Sequence, residues 1–221
     1  MNVVRAEMTK LRRPSLSIST IVAVAFVTGL VTSLLFLLVD SPEGNGERGV
    51  RIGRDVLALA SGVSLSFSNA AGLLGIVALC IFAAQTAQEY TYGTLRNLLV
   101  RQPSRIKILI GKLFSMILFT LIMITLALFV NIAISYILAP SAKVDTNLWF
   151  TADGLQAIST TYVNVTISVI GYGIVGMILG LLLRSPISAI SFGVLWLLII
   201  EQSLILVKES LQNWFPGAQL S

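Results

Sequence analysis

An all-α, polytopic membrane protein is the fold class that three features of this sequence predict. Hydrophobic residues make up 56% of the chain and charged residues only 11%, where a soluble domain carries about 25% charged. The mean hydropathy is +0.90. Several apolar runs reach about 20 residues, the length that crosses the hydrocarbon core as a helix. A chain of 221 residues built this way has room for several spans and little else.

The elements follow in order. Residues 1–15 place Val4, Met8 and Leu11 at helical spacing among Arg5, Lys10, Arg12 and Arg13, the pattern of an amphipathic helix on the inner membrane surface. Pro14 separates it from a first span at 18–39. That run exceeds a typical signal-peptide core, and Val39-Asp40-Ser41-Pro42 offers no small-x-small cleavage site, so a retained span is expected. Residues 40–55 hold Pro42, Gly44, Gly46 and Gly49 and read as a loop. Its Arg48, Arg51 and Arg54 are interspersed with Glu47 and Asp55, which favours a solvated, self-paired loop over a substrate contact. A second span covers 65–85, led in by an interfacial stretch from Val56. Residues 88–107 form a polar, basic loop. The third span, 108–138, ends before Pro140. A second short loop carries Trp149 and Phe150, which suit an interfacial aromatic belt. The fourth span, 158–183, turns through Arg184-Ser185-Pro186 into a fifth at 187–207, and residues 208–221 are an outer tail or re-entrant piece.

Lys and Arg set the orientation. Ten fall on one side: Arg5, Lys10, Arg12, Arg13, Arg96, Arg101, Arg105, Lys107, Lys112 and Arg184. Five fall on the other: Arg48, Arg51, Arg54, Lys143 and Lys208. Cytoplasmic loops are enriched in these residues, so the N-terminus is expected in the cytoplasm. The net charge of +5 reflects that topology and not nucleic-acid binding.

Composition also removes chemistry. With no histidine and one cysteine, Cys80, the usual zinc and transition-metal sites lack ligands. Acid–base catalysis within the membrane lacks a paired carboxylate. Cys80, in an apolar run, reads as a small packed hydrophobe. Asn131, Asn164 and Glu201 are polar residues inside spans. Asn131 and Asn164 are expected to hydrogen-bond between helices, with a cavity-facing role as the alternative. Glu201 is open between a buried functional carboxylate and a head-group residue paired locally. Gly171, Gly173, Gly176 and Gly180 in the fourth span read as close helix packing.

The segment from Gln88 to Lys112 stands apart. Glu89 is followed by Gly93-Thr94-Leu95-Arg96, then Leu98-Leu99, Pro103-Ser104-Arg105 and Gly111-Lys112. A span emerges, turns at a glycine and makes a short helix over 94–100. Pro103 stops that helix and the chain re-enters the membrane. With Leu95, Leu98 and Leu99 on one side and Arg96 and Arg101 on the other, such a helix can dock a cytoplasmic partner by burying its apolar face. A head-group-anchoring loop is the plainer reading of the charge alone.

The order of these residues resembles the cytoplasmic loop between spans two and three of ABC-2-type permeases, the membrane subunits of ABC transporters. The resemblance implies a membrane subunit that pairs with a second permease subunit, as homo- or heterodimer, and docks a cytoplasmic ATP-binding cassette subunit through residues 89–105. ATP and magnesium would belong to that separate chain, since no Gly-x-x-x-x-Gly-Lys-[Ser/Thr] loop occurs here. It implies no enzyme activity in this chain and transport across the plasma membrane, in the outward direction for this branch. The family normally has six spans where this sequence shows five, so either a last span is missing from this sequence, the favoured expectation, or the subunit is atypical. The rival expectation is a non-transporting membrane anchor or immunity protein that grips a cytoplasmic partner with the same loop.

Overall fold

The computed structural model describes residues 3–39, 53–94 and 104–197, and among these every regular element is a helix. They are α1 (Val3–Leu11), α2 (Pro14–Leu37), α3 (Arg54–Ala58), α4 (Gly62–Thr91), α5 (Arg105–Leu138), α6 (Ala152–Leu183) and α7 (Pro186–Leu195). Four of them, α2, α4, α5 and α6, are long and apolar enough to cross a bilayer, the expected architecture of a multi-pass membrane protein. In lipid a backbone must satisfy its own N–H and C=O groups, and a helix does so within one segment.

Each helix begins or ends where local chemistry requires it. Pro14 and Pro186 open α2 and α7 at the first turn, where a missing N–H costs nothing. Thr151 caps α6, its hydroxyl accepting from the Gly154 amide at 3.4 Å. Arg184 ends α6 in the left-handed region, with φ of 52°, which sets up the turn into α7.

The helices overrun the spans expected from hydropathy. The second span continues past residue 85 to Thr91 because nothing breaks the helix before Gly93, whose φ of +65° suits a residue without a Cβ. The third begins at Arg105, and the fourth starts at Ala152, six residues before the apolar run. Polar residues thus extend the helices beyond their apolar centres. Of the fifth span only α7 and the turn that follows, to residue 197, are described; the rest of 187–207 and the tail at 208–221 lie outside the described residues.

Helix α4 is the hub, packed against α2, α5, α6 and α7. It runs antiparallel to α5 and parallel to α6. The α4–α6 contact is unusually close because glycines line it. A Cβ at Gly176 would stand 2.3 Å from the Leu79 carbonyl oxygen, and one at Gly180 would stand 2.8 Å from that of Ala83. Gly173 and Gly75 are filled from the opposite helix by Phe82 and Tyr172. Gly171 differs: no atom approaches its Cβ position within 4 Å. The central core is Val24, Phe67, Leu74, Ala78, Ile124, Ala127, Val165 and Val169.

One end of the bundle is closed by a second core of Phe36, Leu57, Val63, Val144, Trp149 and Ile158. Here the aromatic-belt expectation is corrected for Trp149, which is fully buried. Its indole Nε1 donates to the Leu57 carbonyl at 2.8 Å, and its ring meets Phe36 edge-on. The backbone between α5 and α6 folds inward and carries the indole with it, while Phe150 stays exposed. The short α3 supplies Leu57 to this core, in place of the interfacial stretch expected from Val56.

Candidate functional site

The opposite end of the bundle gathers charge. Helix α1 does not rest free on the head groups; it packs along the start of α5 with Glu7 and Leu11 buried. Glu7 and Lys10, one turn apart, face the last turn of α4 and the second turn of α5. There Glu89 and Lys112 complete a four-membered cluster. Lys112 Nζ lies 2.6 Å from Glu89 Oε1 and 3.6 Å from Glu7 Oε2. Lys10 Nζ lies 2.9 Å from the same Glu89 oxygen and 2.5 Å from Glu7 Oε1.

Two carboxylates and two ammonium groups leave the cluster neutral, which is what permits its burial. The Lys112 side chain is only 4% exposed, and an unpaired charge so placed would carry a desolvation penalty of several kcal/mol. Lys10 is the member nearest solvent. Burial lowers its affinity for the proton, but hydrogen bonds and charge attraction from Glu7 and Glu89 outweigh this and hold it above the ordinary lysine value.

The cluster fixes both ends of the segment at 92–104. On the departing side, the Gly93 amide donates to the Tyr90 carbonyl at 3.2 Å and the Thr94 hydroxyl donates to that of Glu89 at 3.5 Å. Tyr90 also carries the Arg184 guanidinium over its ring at 5.7 Å, tying in the α6–α7 turn. On the returning side, Ser104 leads into Arg105 and α5. The arrangement holds α1, α4 and α5 together where the segment leaves and returns.

The sequence-predicted residues divide accordingly. Glu89 and Lys112 are brought together. Glu89 lies inside α4 and not in a loop, while Gly111-Lys112 lies in the second turn of α5, near the mouth of the third span. Gly93, Thr94, Ser104 and Arg105 flank the segment as expected. Leu95, Arg96, Leu98, Leu99 and Pro103, with the short helix expected at 94–100, lie outside the described residues, as does Glu201. Glu7 was missed and Lys10 was read only as a surface cation. Glu7 is the one acid in a basic stretch, one turn from Lys10, and that was the available signal.

Asn131 is a second polar centre, near the other end. Its Oδ1 accepts from Thr32 and Ser66, each at 2.8 Å, and its Nδ2 donates to the Val63 carbonyl at 3.1 Å. This joins α2, α4 and α5 as expected of an interhelical asparagine. Asn164 does not follow: it is exposed on the outer face of α6, with no interhelical bond among the described residues. Cys80 is half-buried. No group of potential metal ligands occurs among the described residues.

No curated protein and no solved structure matches the chain. Residues 51–216, which include Glu89, Lys112, the hub helix and the buried Trp149, match the family described as protein of unknown function (DUF2705), and the chain belongs to that family.

Proposed function

We propose that this protein is the membrane subunit of an ATP-driven transporter of the ABC-2 type, moving substrate outward across the plasma membrane. In this reading a separate cytoplasmic ATP-binding cassette subunit binds ATP and magnesium and docks on the segment that begins at Glu89 and returns at Arg105. A second permease subunit completes the pair. The single observation that carries the reading is the Glu89–Lys112 ion pair, clasped by Glu7 and Lys10. It joins the two helices on either side of the docking segment, so a push on that segment acts on α4 and α5 as one body. A loop that only anchored head groups would have no need of such a rigid base.

The proposal is tested on the protein purified with the cytoplasmic ATPase that co-elutes with it. Glu89→Gln leaves the helices in place but weakens the clasp. Substrate-dependent stimulation of ATP turnover is expected to fall roughly tenfold, inside the 5- to 150-fold range of ordinary coupling energies. Glu89→Asp, which keeps the carboxylate that Lys10 and Lys112 share, is expected to lose less. ATP turnover indifferent to Glu89→Gln would instead favour a membrane anchor.

A further inference from the structure

Beside the clasp, the same end of the bundle carries cations that no acidic side chain among the described residues answers. Arg12 and Arg13 form the exposed corner between α1 and α2, and Lys107 is exposed on the first turn of α5. The carboxylates at this end among the described residues, Glu7 and Glu89, are engaged by Lys10 and Lys112. The corner and the start of α5 lie at the same end of the bundle, because α1 packs along α5 and its Glu7 reaches Lys112.

Beside these cations and one turn inward the exposed surface is apolar. Ile18 on α2 is 60% exposed; on α5, Ile106, next to Lys107, is 70% exposed and Ile110, one turn inward, is 60% exposed. Ile106, Lys107 and Ile110 are spaced to share one helical face. Fixed positive charge therefore stands at the edge of a hydrocarbon wall, on helices long enough to cross the bilayer. A ligand matching both needs a negative head and an apolar body joined end to end. An acidic protein would satisfy the cations but has no acyl chain to lie along the isoleucines.

We propose that this corner is a binding site for an anionic phospholipid. The lipid phosphate sits among Arg12, Arg13 and Lys107, and its acyl chains lie along Ile18, Ile106 and Ile110. The guanidinium fork grips two phosphate oxygens at once, while the lysine contributes a point charge. At physiological salt, attraction between exposed charges fades beyond about 8 Å, so selectivity arises from contact at this corner and not from the net charge of the chain. The inference requires only that the chain crosses a bilayer, and it does not depend on the transporter reading.

The test uses the full chain in nanodiscs of phosphatidylcholine mixed with phosphatidylglycerol, with retained lipid counted by native mass spectrometry. Phosphatidylglycerol is expected to be retained in preference to phosphatidylcholine. Each cation removed by Arg12→Gln, Arg13→Gln or Lys107→Gln is expected to weaken that retention roughly fivefold. Lys143→Gln, at the opposite end, is expected to leave it unchanged. Lys107→Gln alone serves should the Arg12 and Arg13 variants fail to fold. Equal retention of the two lipids by the wild-type chain, or undiminished retention by the variants, overturns the proposal. So does displacement of the lipid by millimolar inorganic phosphate, since the apolar wall would then contribute nothing.

Discussion

Lys112 shows how much one side chain holds. Its ammonium reaches both Glu7 and Glu89, so Lys112→Ala leaves two buried carboxylates sharing only Lys10. Breaking a buried pair from one side typically costs 3–5 kcal/mol, and Lys112→Ala is expected to destabilise by about 3 kcal/mol in thermal unfolding in detergent. The pH dependence of the clasp follows from Lys10: burial weakens its hold on the proton, and Glu7 and Glu89 more than restore it. A group whose folded value is raised adds stability below the unfolded value of about 10.5 and loses it as pH rises through the folded one. The wild-type clasp therefore stays closed at neutral pH and releases Lys10 only in base. Glu89 and Lys112 could be singled out from residue order. Their partners in α1 could not, because a contact between positions some eighty to a hundred residues apart leaves no local period to read.

Among the elements, α4 and α6 depend on having no side chains where they meet. Gly176→Val is expected to force the helices apart and to cost about 1–3 kcal/mol, the usual effect of overfilling a packed interface. Gly171→Val, one helix face away, meets nothing and is expected to change stability by less than about 0.5 kcal/mol. Equal effects at the two sites in a thermal-shift comparison would contradict the packing described. The four long helices were legible from hydropathy alone. Which face of each points inward was not, since a helix apolar all round has no amphipathic side to betray its orientation. Asn131 and Asn164 make the point: both are lone amides in apolar runs, yet one bonds three helices together and the other faces outward. The helix ends were misjudged for a related reason. Hydropathy falls off at residue 85, but a helix ends only when its backbone is broken or capped, here at Gly93.

For the molecule as a whole, the fold sorts charge by end. Lys10, Arg12, Arg13, Lys107, Lys112 and Arg184 gather around the clasp, and Arg54 and Lys143 stand at the end closed by Trp149. By the positive-inside rule we propose that the clasp faces the cytoplasm. With Cys80 replaced by alanine, a cysteine at position 143 is expected to react with an impermeant maleimide on intact cells. One at position 107 should react only after the membrane is permeabilised. The reverse pattern would invert the topology and remove the docking segment from any ATP-hydrolysing partner.

The clasp also bears on how the chain is made. Glu7 and Lys10 leave the ribosome roughly a hundred residues ahead of Lys112, about 5–20 s at common rates of synthesis. Until then α1 has only its own Glu7–Lys10 pair and no α5 to pack on, so it must wait in contact with water. It is consequently made before its neighbour and settles only after it. A nascent chain halted before α5 would display α1 undocked to proteases and chaperones.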